Sequence, residues 1–243
     1  MENWQKYAAE FLGTFVLVFG GSVAILASVG AGSPTLIVAA LAFGLSLLAG
    51  LYAFGEVSGG HFNPAVSLAM YLSRRLTSND LVSYWIAQFL GGIAAAILLL
   101  IATSQDEVAA TTTIPGDAGS GTAFLMEVTF TAIFVLVILA ASVSERFGGS
   151  ALLAIPLTLV TVHLAAIPFS GSSVNPARTF GPDLIGGEWD GIWIYLIAPP
   201  LGAAIAAAVH LFVVGAGPAP PAPSAVAEVL TDVDDDAPGR PRT

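Results

Sequence analysis

The chain has 243 residues, of which 56% are hydrophobic and 10% are charged, and its mean hydropathy is +0.84. Soluble domains carry roughly 25% charged residues, so this chain has too few charges to cover a water-exposed surface, and we expect lipid around it. With no cysteine, three widely spaced histidines and a net charge of −10, we expect no disulfide, thiol chemistry, metal site or other cofactor, and no nucleic-acid partner.

Six apolar stretches are each long enough to cross a bilayer, which requires about 20 apolar residues. Residues 1–6 are polar and lead directly into the first of these stretches, so no cleavable signal peptide is expected. The sequence therefore predicts an all-α membrane protein. Its spans are predicted at about residues 7–28, 35–55, 81–103, 121–143, 151–169 and 191–214.

The basic residues predict the orientation of these spans. All but one lie on the same side of a six-span chain, which the positive-inside rule makes cytoplasmic together with both termini. The exception is Arg178, which lies on the outer side. The residues on the inner side are Lys6, Arg74, Arg75, Arg146, Arg240 and Arg242.

The two halves of the chain resemble each other. The tripeptide Asn-Pro-Ala occurs at residues 63–65 and again at 175–177, and IAQFLGGIAAA from Ile86 matches IAPPLGAAIAA from Ile197. Each half, at about 7–103 and 121–214, contains three spans. Because three is odd, the second half enters the membrane from the opposite side, which predicts an inverted repeat.

Each Asn-Pro-Ala predicts the start of a short helix, because Asn is a favoured N-cap and Pro a favoured first helical residue. About ten mostly apolar residues follow, or roughly 15 Å of helix, which is half of the hydrocarbon core. Two re-entrant half-helices from opposite faces would meet at the midplane. The lead-ins at 59–62 and 171–174 then lie at membrane depth, where irregular backbone must be shielded or line a cavity. A pore or a central binding site follows.

Paired GGHFNPAV and SVNPAR within such a repeat resemble the aquaporin family of water and small-solute channels, over about residues 7–214. The resemblance implies a homotetramer in the cell membrane, with one pore through each protomer. It also implies that water is the permeant and that the protein is not an enzyme. Nothing in the sequence resembles a catalytic nucleophile with its base, so no residue pattern points to an enzyme instead.

The half-helix N-termini should repel cations from the midplane, because each carries roughly half a positive charge. The amides of Asn63 and Asn175 can each donate to a passing water and so interrupt the water chain along which protons hop. Backbone carbonyls of the lead-in would be acceptors along the path. The residues assigned to this region are Asn63, Pro64, Ala65, Asn175, Pro176 and Ala177, with the carbonyls of Gly60, His61 and Phe62.

Four positions match the selectivity filter of the family: Phe43, His163, Ser172 and Arg178. The resemblance implies that the combination of Phe and His at the first two positions is typical of water-selective members. Glycerol-conducting members carry a small residue at the His163 position, an aromatic at the Ser172 position and usually Asp where this chain has Thr179. Ser172 is smaller than the Thr or Cys common there. His163 could instead be an ordinary buried histidine, and Arg178 must find water and carbonyl partners.

Two intramembrane carboxylates, Glu10 and Glu127, lie at equivalent positions of the two halves. The family resemblance implies that they brace the re-entrant loops, whereas a proton-coupled transporter would use such a pair for coupling. Glu56, at the inner end of the second span, is interpreted as a solvated mouth residue, with an effect of pH on opening as the alternative.

Residues 104–120 are predicted to be a long outer connection, and no function is assigned to them. Residues 215–243 form an acidic, Pro/Ala-rich segment that we expect to be a disordered cytoplasmic tail, separate from a channel domain at 1–214. The sequence predicts a passive water-selective channel. A glycerol or small-solute facilitator and a proton-coupled transporter are the alternatives.

Overall fold

The computed structural model describes residues 3–32, 35–142 and 148–215, without the side chains of 148–151. The predicted tail therefore lies outside the described residues, apart from Gly215. Every regular element in the described ranges is a helix. In chain order they are α1 (Asn3–Gly30), α2 (Thr35–Ser58), α3 (Pro64–Leu72), α4 (Ser78–Ala102), α5 (Gln105–Ala109), α6 (Gly119–Ala141), α7 (Gly148–Ser170), α8 (Pro176–Gly186) and α9 (Ile192–Val213).

Six of these helices are long and apolar enough to cross a membrane: α1, α2, α4, α6, α7 and α9. They coincide with the six predicted spans, and their ends differ from the predicted ends by at most a few residues. Large apolar side chains remain exposed along them, as expected for surfaces that face lipid. The prediction of an all-α membrane fold with six spans is confirmed.

The packing of the helices has the symmetry of a repeat. In the first half α1 packs on α2 and α4, and in the second half α6 packs on α7 and α9. The short helices exchange partners, since α3 packs on α9 and α8 packs on α4. Because each half contributes three spans, the halves run in opposite directions through the membrane, and the predicted inverted repeat is confirmed.

Glycines allow these helices to approach closely, as in many membrane proteins. A Cβ placed on Gly91 of α4 would lie 2.4 Å from the carbonyl oxygen of Phe11 on α1. At the matching position of the second half, a Cβ on Gly202 of α9 would lie 2.3 Å from the carbonyl oxygen of Val128 on α6. The small residues repeated in IAQFLGGIAAA and IAPPLGAAIAA are therefore contact points between helices.

The two half-helices begin at the predicted residues. Asn63 and Asn175 are their N-caps in extended conformation, and each side-chain oxygen accepts from the backbone N–H two residues later, at 2.9 and 3.0 Å. The outer connection differs from its prediction, because it contains the five-residue helix α5. The hydroxyl of Ser104 caps this helix by accepting from the backbone N–H of Glu107, and α5 packs against α8.

Candidate functional site

The two half-helices meet head to head, and the asparagine amides join them. Asn63 Nδ2 donates to the carbonyl oxygen of Val174 at 2.8 Å, and Asn175 Nδ2 donates to the carbonyl oxygen of Phe62 at 2.9 Å. Each amide has two N–H groups, so one hydrogen of each remains for another acceptor. Phe62, assigned from the sequence as a carbonyl acceptor for water, already accepts one bond from the opposite loop.

The first re-entrant loop is held by Glu10, whose side chain is fully buried. One carboxylate oxygen accepts from the Ser58 hydroxyl at 2.6 Å and from the His61 backbone N–H at 2.9 Å. The other accepts from the Phe62 backbone N–H and from the Gln88 side-chain amide, both at 2.7 Å. Four donors therefore surround this carboxylate.

The second loop is held in the same way by Glu127, which is also fully buried. One oxygen accepts from the Ser170 hydroxyl and the Ser173 backbone N–H, both at 2.8 Å, and the other accepts from the Val174 backbone N–H at 2.7 Å. The two glutamates thus contact equivalent atoms of the two loops. Both accept charge-assisted bonds from backbone donors at a depth where those donors have no bulk water.

These loops hold several residues in the left-handed backbone region. Phe62 and Val174 have φ of 49° and 47°, and Ser172 has φ of 51°. This region is disfavoured for side chains other than glycine, and most of all for β-branched residues such as valine. The hydrogen bonds from these loops to the glutamates offset this cost, and so do the bonds that the carbonyls of Phe62 and Val174 accept from the asparagine amides.

Three of the four residues assigned to the filter are in contact. The rings of Phe43 and His163 have centroids 5.0 Å apart, and the guanidinium carbon of Arg178 lies 4.8 Å from the centroid of Phe43. All three side chains are at most 4% exposed. His163 Nδ1 lies 3.1 Å from the carbonyl oxygen of Leu159, which assigns the proton to Nδ1 and leaves Nε2 as an acceptor in neutral histidine.

Arg178 is anchored by the outer connection. Its Nη1 donates to the carbonyl oxygen of Thr111 at 3.4 Å and to the hydroxyl of Thr113. Arg178 was expected to find a backbone carbonyl partner, and the carbonyl oxygen of Thr111 is such a partner. Sequence reasoning missed both threonines, which lie in a segment that it left without a function.

A narrow cavity of about 20 Å³ runs past these groups. Ser172, the fourth assigned filter residue, is fully buried and is not among the lining residues, whereas its neighbour Ser173 is. The cavity is lined by Leu17, Phe43, Leu47, His61, Asn63, Phe134, Leu159, His163, Ser173, Val174, Asn175 and Arg178. It therefore connects the filter position to the junction of the half-helices.

Two glycines of α1 make room for the aromatic rings beside this cavity. A Cβ on Gly21 would lie 2.2 Å from the ring of Phe43, and a Cβ on Gly13 would lie 2.0 Å from the ring of Phe62. Neither glycine was predicted from the sequence to contact a residue of the pore. The spacing of eight residues places both on one face of the helix, which is the only local signal they give.

A wider vestibule of about 480 Å³ lies on the other side of the half-helix junction, among Lys6, Arg74, Arg75 and Asp80. His61 lines both this vestibule and the narrow cavity, and its Nδ1 lies 3.0 Å from the hydroxyl of Ser67. His61 therefore lies between the two cavities, and its imidazole is held by Ser67. Glu56 is exposed and lines an adjoining cavity, as expected for a mouth residue.

The chain is similar to known proteins both in sequence and in structure. The major intrinsic protein family model matches residues 1–210. Aquaporin Z of Brucella melitensis is 42% identical over 84% of this chain and 96% of its own length. Glycerol uptake facilitator protein-like 6 of Lactiplantibacillus plantarum is 39% identical over 84% of this chain and 95% of its own length. The crystal structure of the aquaglyceroporin from Plasmodium falciparum shares the fold, with a TM-score of 0.79 and 23% identity over 88% of this chain and 97% of that chain.

Proposed function

Because the chain belongs to the major intrinsic protein family, whose members are channels and not enzymes, we propose that it is a passive, water-selective channel. The observation that carries the proposal is the constriction made by Phe43, His163 and Arg178. Its cavity of about 20 Å³ has room for about one water molecule at a time. A three-carbon polyol would have to displace one of the two rings, and both rings are held in buried contacts.

Water has polar partners at two places on this path. At the constriction His163 Nε2 can accept from water, and the remaining guanidinium N–H groups of Arg178 can donate to it. At the half-helix junction Asn63 and Asn175 each have one free amide hydrogen to donate. These groups offset part of the cost of removing water from bulk solvent, so single molecules can pass without a covalent step.

Protons and cations meet a barrier at the same junction. Both half-helices present their N-termini to it, and each carries roughly half a positive charge in a medium of low dielectric. A water that accepts from both asparagine amides must turn its own hydrogens away from the junction along both arms of the path. That orientation breaks the continuous donor–acceptor order that proton hopping requires. Arg178 adds a full positive charge near the outer end.

The rival proton-coupled transporter requires Glu10 and Glu127 to exchange protons with the path. Both are fully buried, and the carboxylates are occupied by four and three donors. The serine hydroxyl at each carboxyl can reverse and accept from an added proton. The backbone N–H groups cannot become acceptors, so protonation of either carboxyl would weaken their bonds to its oxygens. This geometry favours the bracing function.

A glycerol or small-solute facilitator is the second candidate, and one observation favours it. The relative named a glycerol uptake facilitator is 39% identical, close to the 42% of Aquaporin Z. The relatives alone therefore do not separate the two functions. The bulk of Phe43 and His163 at the constriction favours water.

The orientation and the assembly are part of the same proposal. Lys6, Arg74 and Arg75 lie around the wide vestibule, which the positive-inside rule makes the cytoplasmic mouth. Both termini are then cytoplasmic, and Arg178 faces the outside of the cell membrane. Lipid-facing helices with exposed apolar side chains are compatible with the homotetramer that we propose, with a separate pore in each protomer.

The test is stopped-flow light scattering on proteoliposomes that contain the full-length chain. After a sucrose shock, we expect shrinkage at least about tenfold faster than in empty liposomes, at the same vesicle size. After a glycerol shock, the expected result is equally fast shrinkage followed by slow re-swelling at the rate of empty liposomes. Rapid re-swelling would instead favour the facilitator, and shrinkage no faster than in empty liposomes would contradict a water channel.

A further inference from the structure

His61 lies where the cavities of the inner half meet. It lines the narrow cavity, the wider vestibule and a third cavity of about 50 Å³, and among the described residues it alone lines all three. The path from the vestibule to the half-helix junction therefore passes this residue. Its imidazole has so far been given only a contact with Ser67.

The two ring nitrogens of His61 have different surroundings. Nδ1 lies 3.0 Å from the hydroxyl of Ser67. Nε2 makes no hydrogen bond within the described residues, and it is not one of their fully buried polar atoms without a partner, so open space lies beside it. A Cβ placed on Gly59, which lines the vestibule, would lie 3.4 Å from Nε2. Nδ1 is therefore turned toward the half-helix, and Nε2 lies on the side of the vestibule.

The neighbours of Nδ1 determine which nitrogen carries the proton. The side-chain amide nitrogen of Gln88 donates to Glu10 at 2.7 Å and to the Ser67 hydroxyl oxygen at 2.9 Å, which uses both of its hydrogens. Ser67 is fully buried, and His61 Nδ1 is the only acceptor that its own hydrogen contacts among the described residues. A proton on Nδ1 would leave that hydrogen without an acceptor, which disfavours this tautomer by about tenfold or more. These contacts assign the proton of neutral His61 to Nε2.

The second half shows that the contact with the half-helix does not require histidine. There the residue two positions before the asparagine is Ser173, and its hydroxyl contacts that of Thr179, four positions after the asparagine. His61 and Ser67 hold the same two places in the first half. A serine therefore makes in one half the contact that an imidazole makes in the other. The imidazole adds Nε2, which this contact does not use.

We propose that the imidazole of His61 is a water-binding group of the pore, whose Nε2–H donates to water between the vestibule and the half-helix junction. Ser67 and Gln88 are positioning residues that fix the proton on Nε2. This inference rests on the proposed water channel. Because Nε2 carries a hydrogen and Nδ1 accepts from Ser67, neutral His61 has no free lone pair to take a proton from the path. His61 thus adds a donor to the inner half without adding a proton relay.

Two substitutions of His61 in proteoliposomes of the full-length chain separate water binding from local bracing. His61→Asn places an amide near the position of Nδ1, where it still reaches Ser67, whereas His61→Gln places an amide near the position of Nε2. We expect the water permeability of His61→Asn to fall about fivefold or more, and that of His61→Gln to be at least about threefold higher than that of His61→Asn. A residue that only braces its loop would give the reverse order. A His61→Asn variant as fast as the unmodified chain, or a His61→Gln variant no faster than His61→Asn, would overturn the proposal.

The position of the proton is measured by ¹⁵N NMR on the full-length chain in lipid, labelled at its three histidines. His163→Ala and His210→Ala samples assign the other two histidines, which leaves the signals of His61. We expect the proton on Nε2 in the unmodified chain, and a mixture of both tautomers in Ser67→Ala. Ser73→Ala is the control, because the Ser73 hydroxyl, at the end of the same half-helix, has no partner among the described residues; the proton should stay on Nε2. A proton on Nδ1 in the unmodified chain would overturn the proposal, also if neither His61 variant folds.

The permeability measurement distinguishes this inference from the proposed function. A failure of the water channel itself would appear as an unmodified chain no faster than empty liposomes. A fast unmodified chain with an equally fast His61→Asn variant would contradict only the water-binding function of His61.

Discussion

Replacement of Glu127 by glutamine tests whether the buried carboxylates are braces. The carboxylate accepts three hydrogen bonds, two of them from backbone N–H groups. Glutamine offers one oxygen and one NH2 group, so at least one buried N–H then faces another donor. An unsatisfied buried donor costs about 1–3 kcal/mol, and loss of the charge weakens the remaining bonds. We expect a destabilisation of about 3 kcal/mol in total.

The assay is thermal unfolding in detergent, followed by tryptophan fluorescence, together with water permeability in proteoliposomes. Glu127→Gln should unfold several degrees lower and conduct water more slowly, because the loop at 171–174 loses its support. Glu107→Gln is the matched control, since Glu107 is exposed on α5. A Glu127→Gln variant as stable and as permeable as the unmodified chain would refute the bracing argument. If the unmodified chain carried a flux driven by a pH gradient and the stable Glu127→Gln variant lost that flux, the proton-coupled transporter would be favoured.

Two further predictions concern residues at the narrow cavity, and a third concerns the lack of cysteine. His163→Ala, with Phe43 retained, should raise glycerol permeability by about tenfold or more in the re-swelling assay, and unchanged glycerol exclusion would contradict the filter assignment. Gly21→Ala should slow water flux, because the added Cβ would lie 2.2 Å from the Phe43 ring. Gly30→Ala on the same helix is its control, since a Cβ added there has no atom within 4 Å, and it should match the unmodified chain. Mercurials should not block the channel through a thiol, because the chain contains no cysteine; a strong block reversed by added thiol would be incompatible with the sequence.

Features encoded locally could be predicted from the sequence. Helix length and hydropathy predicted the six spans, and Asn followed by Pro predicted the starts of α3 and α8, because N-capping depends only on neighbouring residues. Each of these signals lies within a few residues of the feature it describes. The bracing function of Glu10 and Glu127 has no such local signal, because the loops they contact lie 43 to 52 positions away; it was expected from the family resemblance.

Features that depend on distant residues could not be predicted in this way. Thr113 contacts Arg178 across 65 positions, and Asn63 contacts Val174 across 111. Hydrophobic periodicity carries no information on such pairs. The same limit applies to Gly13 and Gly21, whose function is clear only once the rings of Phe62 and Phe43 are placed beside them.

The most direct test of a passive water channel that excludes protons is to measure both fluxes on one preparation. Proteoliposomes loaded with a pH-sensitive dye are given an osmotic shock without a pH gradient, and then a pH gradient without an osmotic shock. We predict water flux at least about tenfold above empty liposomes, with a proton flux equal to theirs. A proton flux that rises with the amount of protein, or a water flux no faster than in empty liposomes, would contradict the account.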